Sequence, residues 1–279
     1  FTMAGADITN VNFGIEQLPN SGVNTQPSQI NPGGTTSVPV PASAFSGTDP
    51  DGGTVTSIRI TAFPSNATSI TINGTTYTSG TFPGAGVVVP ANASGQPTQA
   101  ISVDPVNGSV DVVIPYATID NAGQQDPTPG SVTLPFATIN ISGNVFNDLN
   151  GLTDATVNGT GINTPSGIQL HANLLDAAGN VVATVPVGAG GAYNFSNVPG
   201  NTTYTVQIST NAGTPKQPAP ADALPVHWVS TGENLGAAAG NDGTVNTRLP
   251  ITVGSANVIN ANFGIEQLPN SGTVTLATV

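Results

Sequence analysis

Along much of this chain apolar and polar residues alternate one by one. Ile259, Ala261, Phe263 and Ile265 alternate with Asn260, Asn262 and Gly264, the period of two that turns one face of a β-strand toward a core. The same period sets Ile58, Ile60 and Ala62 on one face, then Val110, Val112 and Ile114, then Val132, Leu134 and Phe136. A second series begins with Ile139, Ile141 and Val145. In it Ile168, Leu170, Ala172 and Leu174 alternate with Gln169, His171 and Asn173. Residues 181–187, the pair Tyr193 and Phe195, and Tyr204, Val206 and Ile208 predict three further strands. No segment sustains a period of 3.6, so helices are not expected. Turn chemistry fits this pattern. Asn73-Gly74 between ATSITI and TTYTS predicts a two-residue type I′ hairpin with Ile70 opposite Tyr77 and Ile72 opposite Thr75. Asn107-Gly108 marks a second turn between apolar runs. Many short strands with regular turn signals predict an all-β chain of two tandem Greek-key β-sandwich domains.

The closing strand belongs to a repeat. NFGIEQLPNSG at residues 12–22 recurs letter for letter at residues 262–272, an offset of 263 − 13 = 250 residues, and a fixed period sets an architecture. Each copy reads as a half-buried strand, on Thr9, Val11, Phe13 and Ile15 in the first and Ile259, Ala261, Phe263 and Ile265 in the second. A Leu-Pro-Asn-Ser-Gly turn follows each. The expected layout is then a closing strand of a preceding repeat, or a donor strand, at 1–22 and a polar linker at 23–36. One sandwich follows at 37–136, a second at 137–268, and the start of the next linker at 269–279. Residues 211–248, rich in Pro, Ala and Gly and holding the single Trp228, read as a long loop excursion. Phe1 falls inside the repeated strand region, so the chain reads as a window of a longer polypeptide.

Charge narrows the function classes. The net charge is −12, and Arg59, Lys216 and Arg248 are the fixed cations. Binding to phosphate backbones needs clustered Lys and Arg, which argues against nucleic acid and against anionic membrane surfaces. Divalent cations are the natural partners. No Cys occurs, so disulfides and thiolate metal sites are excluded. No apolar run of membrane-spanning length is present either.

Several stretches carry a resemblance. ISGNVFNDLNGLTD, LLDAAGNVVATV, GAYNFSNVPGNTTYTVQI and NANFGI make the second half similar to the B-type, prealbumin-like repeat modules of collagen-adhesin and serine-aspartate-repeat surface proteins. TDPDGG and IPYATIDNAG give the first half a fainter similarity to bacterial Ig-like or cadherin-like repeats. The stretch VHWVSTGENLGAAAGNDGTVNTRLPITV resembles insertions in large secreted repeat proteins. These resemblances imply extracellular stalks, adhesins and filaments at the bacterial cell surface rather than catalysts.

Calcium is the cofactor to look for. Asn147, Asp148, Asn150 and Asp154 in FNDLNGLTD offer the oxygens a hard cation takes, and a similar acidic loop binds Ca2+ in the B-type modules. A solvated Asx turn explains the same residues. Asp49 and Asp51 of TDPDGG with Asp120 form a second candidate set, again open to a plain-turn reading. The Lys-Asn isopeptide bond of some adhesin domains needs a buried Lys, whereas Lys216 sits in a Pro-rich loop. His171 and His227 have no nucleophile pattern around them. His171 is expected on an exposed strand face, and no catalytic residues are assigned. Host or surface glycans are a further partner class, with Trp228 the stacking side chain to consider. The leading expectation is a structural surface filament or stalk of tandem sandwiches, whose partners are copies of itself. A pilus-like subunit polymerised by donor-strand exchange and an accessory carbohydrate- or protein-binding module are the alternatives.

Overall fold

A computed structural model describes residues 12–151, 154, 156–237, 240 and 242–269. Thr9 and Val11 of the leading copy lie outside them. Among the described residues there is no α-helix; strands and three short 3-10 turns carry the chain. It divides into two compact units. The first takes the described residues up to Ser28, then Thr35–Val106 and Val110–Pro135. The second takes Gln29–Gly34, Asn107–Ser109 and the described residues from Phe136 on.

The first unit pairs two sheets. One runs Val38–Val40, Ile101–Pro105, Ala67–Ile72, Thr75–Tyr77; the other runs Val23–Thr25, Gly130–Ala137, Val110–Asp120, Val55–Ile60, Val87–Pro90. Alternate residues of both are buried, Ile70, Ile72, Ile101 and Val103 from one and Ile58, Ile60, Val112, Ile114 and Leu134 from the other. The expected hairpin forms in the expected register, Ile70 opposite Tyr77 and Ile72 opposite Thr75. Asn73 and Gly74 have φ of 48° and 78°, as a type I′ turn requires. No atom lies within 4 Å of a Cβ added at Gly74. Gly74→Ala is therefore expected to cost about 1 kcal/mol through backbone strain alone, measured by urea denaturation.

The strands around Asn107-Gly108 do not form a hairpin: Ile101–Pro105 and Val110–Asp120 lie in different sheets. The expected linker at 23–36 also holds structure. Val23–Thr25 pairs in parallel with Ser131–Thr133, and Gln29–Ile30 with Phe136 and Ala137. These are polar edge segments joined through the backbone, so period two gives no sign of them.

The second unit is likewise a sandwich. Ile139–Asn147, Ala261–Gln267 and Trp228–Leu235 lie side by side, with Thr160–Gly161 and Ala192–Val198 also on Ile139–Asn147. The opposing sheet runs Val181–Pro186, His171–Leu175, Thr202–Ser209, Arg248–Val253. Their inner faces share one core that includes Ile141, Leu170, Leu174, Phe195, Val206, Ile251 and Phe263. Part of the expected excursion is therefore built into the sheet: Trp228–Leu235 forms its edge and pairs along its length with Ala261–Gln267. Ile168 and Ile259 depart from their expected faces, 44% and 60% exposed. At Ile259 the cause is Asn260, whose φ of 58° breaks the pleat before the strand begins at Ala261.

Candidate cation sites and the repeated joint

The repeated element folds differently in its two copies. In the trailing copy NFGI is built into the second unit. Asn262 Oδ1 accepts the Asn144 amide at 3.0 Å. Phe263 and Ile265 are each 1% exposed, and Phe263 packs on Tyr193 with ring centroids 6.3 Å apart. Gly264 lies so close to Thr231 that a Cβ would meet its Oγ1 at 2.1 Å. In the leading copy the same residues form no strand. Phe13 is 88% and Ile15 96% exposed, and no atom lies within 4 Å of a Cβ added at Gly14. The expectation of a half-buried strand therefore fails at Phe13 and Ile15. The strand's neighbours are Ile139–Asn147 and Trp228–Leu235, and the chain's own Ala261–Gln267 already lies between them.

The second half of the element is engaged where the first half is not. Asn20 and Ser21 pair with Thr48 and Gly47. The Ser21 amide donates to Asp126 Oδ2 at 2.6 Å, and the Gly22 amide to the Ser46 carbonyl at 2.9 Å. The buried Tyr116 hydroxyl lies 2.9 Å from the Gly22 carbonyl. A Cβ on Gly22 would meet Ser46 Oγ at 2.0 Å, so any larger residue would have to turn the Ser46 hydroxyl aside. NFGI thus has its partners in the second unit and NSG in the first. That split, NFGI engaged in the trailing copy and NSG in the leading one, is what a joint between two kinds of domain would have.

Beside this joint lies a carboxylate group. Glu16 of the joint, Asp49 and Asp120 each place one oxygen within 4.8 Å of the others. Asp120 is 1% exposed. Its Oδ1 accepts the Gln124 amide at 2.8 Å, while its Oδ2 and both oxygens of Asp49 are buried with no hydrogen-bond partner. Asp51 turns to the backbone, taking the Gln17 amide at 3.0 Å and the Gly53 amide at 3.1 Å. These amides hold its carboxyl below the ordinary value. Loss of solvent, then the charges of Asp51, Asp120 and Asp49, pushes Glu16 up. Desolvation and then Asp51 push Asp49 up. The sequence placed Asp49, Asp51 and Asp120 together but missed Glu16, which no local motif links to them.

The candidate set in FNDLNGLTD divides. Asn150 Nδ2 donates to Asp154 Oδ2 at 2.7 Å, and Asp154 Oδ1 accepts the Thr156 amide at 3.0 Å, a local Asx arrangement. Asp148 is fully buried and turns instead to Thr231, whose hydroxyl donates to its Oδ2 at 2.9 Å. Burial raises the Asp148 carboxyl. Its Oδ1 and Asn147 Oδ1 are buried without partners. Leu152, Thr153 and Ala155 of this loop lie outside the described residues.

No protein-family model matches the chain, and no curated protein matches it in sequence. Among solved structures it is similar to BcpA, the major pilin subunit of Bacillus cereus, at 9% identity and a TM-score of 0.38, over 90% of this chain and 71% of that one. It is similar to the pilus 2b backbone protein of group B streptococcus at 13% identity and a TM-score of 0.31, over 89% and 97%. A third is the Bacillus anthracis TIE protein, at 10% identity and a TM-score of 0.30. There the match takes 92% of this chain but 42% of that one, so the chain spans less than half of the TIE protein. At such identities the chain's own residues have to carry the functional reading.

Those residues show little reactive chemistry. His171 is half-buried rather than exposed, because its strand lies between two others, and its Nδ1 has no hydrogen-bond partner. His227 is exposed at a φ of 71°. Trp228 is 9% exposed and its Nε1 donates to Ser166 Oγ at 3.0 Å, so its ring is a core side chain and not a sugar platform. Lys216 is exposed. Among the described residues no helix is long and apolar enough to cross a membrane.

Proposed function

We propose that this chain is part of an extracellular filament or stalk of the bacterial cell surface, in which the two sandwich types alternate along one covalent polypeptide. The observation that carries the reading is the division of the joint. One copy has its NFGI half in place and the other its NSG half, as a strand leaving one domain and entering the next would have. The exposed Phe13 and Ile15 are then the closing strand of a preceding domain of the second kind.

The role is mechanical. In the second unit the entry strand Ile139–Asn147 and the exit strand Ala261–Gln267 are parallel neighbours, with Val145 beside Phe263 and Asn147 beside Ile265. In the first unit Val23–Thr25 and Gly130–Ala137 are parallel neighbours as well. Tension applied along the chain pulls parallel entry and exit strands in opposite directions along their axes. All the hydrogen bonds between them are then loaded at once, whereas a hairpin would open one bond at a time. Two domains in series with this connectivity suit a load-bearing shaft, and its chief partners are further copies of the same units.

Donation of the leading arm to a neighbouring subunit is the competing reading. It requires a recipient whose own Ala261–Gln267 strand has vacated the sheet, although that strand is fully engaged here. The mass of native material after strong heating in denaturant with EDTA separates the two. The covalent filament predicts a species far above the 27.7 kDa of this chain. A single band at that mass would sink it and favour the donated arm.

A further inference from the structure

The carboxylate group beside the joint asks for a ligand. We propose that Glu16, Asp49 and Asp120, with Asp51 beside them, hold one calcium ion that fastens the repeated joint to the first unit. Three segments far apart in sequence bring their oxygens within 4.8 Å of one another, and one ion with oxygen ligands at 2.3–2.6 Å reaches all three. Asp120 is 1% exposed with Oδ2 unpaired, and both oxygens of Asp49 are buried with the adjacent Asp51 as their one neighbouring ionisable group outside the three. Buried carboxylate oxygens are costly unless a hydrogen bond, a charge or a metal satisfies them.

Among the described residues of its own unit the site meets no counter-charge. Arg59, the first unit's one fixed cation, is committed to Gln125 Oε1 at 2.8 Å and the Ala85 carbonyl at 2.6 Å. The donors are all oxygen, which selects a hard cation over zinc or copper. Mg2+ keeps most of its water shell and demands a strict octahedron, whereas Ca2+ accepts irregular sets of carboxylates. Buried oxygens on Asp49 and Asp120 leave little room for that shell. Asp51 prepares the site by gripping the Gln17 amide, which positions the neighbouring Glu16.

As a fastening at a joint between domains, the site rests on the alternating-filament reading; the binding of calcium to this chain does not. Glu266 repeats Glu16, so each joint of such a filament would carry the ligand for its next domain.

The test is calorimetric titration of Ca2+ into the EDTA-stripped 279-residue chain and into Glu16→Gln, Asp49→Asn and Asp154→Asn. The expected result is a saturable event near 10⁻⁴–10⁻³ M, the range of extracellular calcium modules. It should weaken by about tenfold or more in Glu16→Gln, vanish in Asp49→Asn, and persist in Asp154→Asn. Circular dichroism and thermal unfolding in EDTA should match wild type, which separates lost binding from lost folding. Absence of any uptake at about 10 mM Ca2+ would overturn the site, as would uptake unchanged in both Glu16→Gln and Asp49→Asn. Loss in Asp49→Asn without effect in Glu16→Gln would overturn the link to the joint. Calcium binding with a native mass of 27.7 kDa would remove the filament reading and leave the site standing.

Discussion

Phe263→Ala is expected to destabilise the second unit by about 3–5 kcal/mol, while Phe13→Ala, the same change in the same eleven-residue sequence, shifts stability by less than about 0.5 kcal/mol. Phe263 is 1% exposed, against Tyr193 and between two strands. Truncation there removes a large buried surface and leaves a cavity whose walls are rigid strands. Phe13 is 88% exposed and loses almost nothing. Urea denaturation followed by the fluorescence of Trp228, the single Trp and a member of the same sheet, reads the second unit directly. Comparable losses at the two positions would mean that the leading copy is buried too, and the divided joint would have to be abandoned. On the filament reading, in a longer chain that carries a domain of the second kind ahead of this one, Phe13→Ala should acquire the full cost that Phe263→Ala shows here.

The contrast between these two phenylalanines marks what a sequence can and cannot carry. Strand content and the hairpin at Asn73-Gly74 were legible because turn geometry and side-chain alternation are local. The repeat was legible as a string. Its division into two halves was not, because the halves differ only in what tertiary structure offers them. Strand Trp228–Leu235 was missed for a physical reason: Thr231 and Glu233 are polar yet buried, 1% and 0% exposed, so its inward face does not read as apolar. Val23–Thr25 was missed because an edge strand held by backbone pairing needs no apolar face. Of the acidic residues, Asp49 and Asp120 were found through their turn motifs. Glu16 could be placed beside them only by the fold.

Glu233 gives the second large effect, and its sign follows from linkage. Its side chain is fully buried on the strand opposite Phe263, with Oε2 unpaired. Burial first, and the nearby charge of Asp242 second, push its carboxyl up to about 8 from the ordinary 4.5, against hydrogen bonds from Asn246, Ser230 and Arg248. Below about pH 4.5 the folded and unfolded chains both carry the proton, and the full stability is present. Between there and about pH 8 the unfolded chain releases it while the folded chain retains it. Stability therefore falls as pH rises, by at most about 1.4 kcal/mol per unit. The loss levels off once pH has passed the folded value. Other carboxyls titrate as well, and Asp222, held below its ordinary value partly by Arg248, acts in the opposite sense at low pH. Glu233→Gln isolates the one term. Against wild type, the variant should be gained little or nothing near pH 4.5 and be more stable by a few kcal/mol near pH 8.5. Equal slopes for the two proteins across that window would show that Glu233 ionises in the folded state as freely as in water. A carboxyl buried on the strand beside Ala261–Gln267, with one oxygen unpaired, thus lowers the stability of the second unit on the alkaline side.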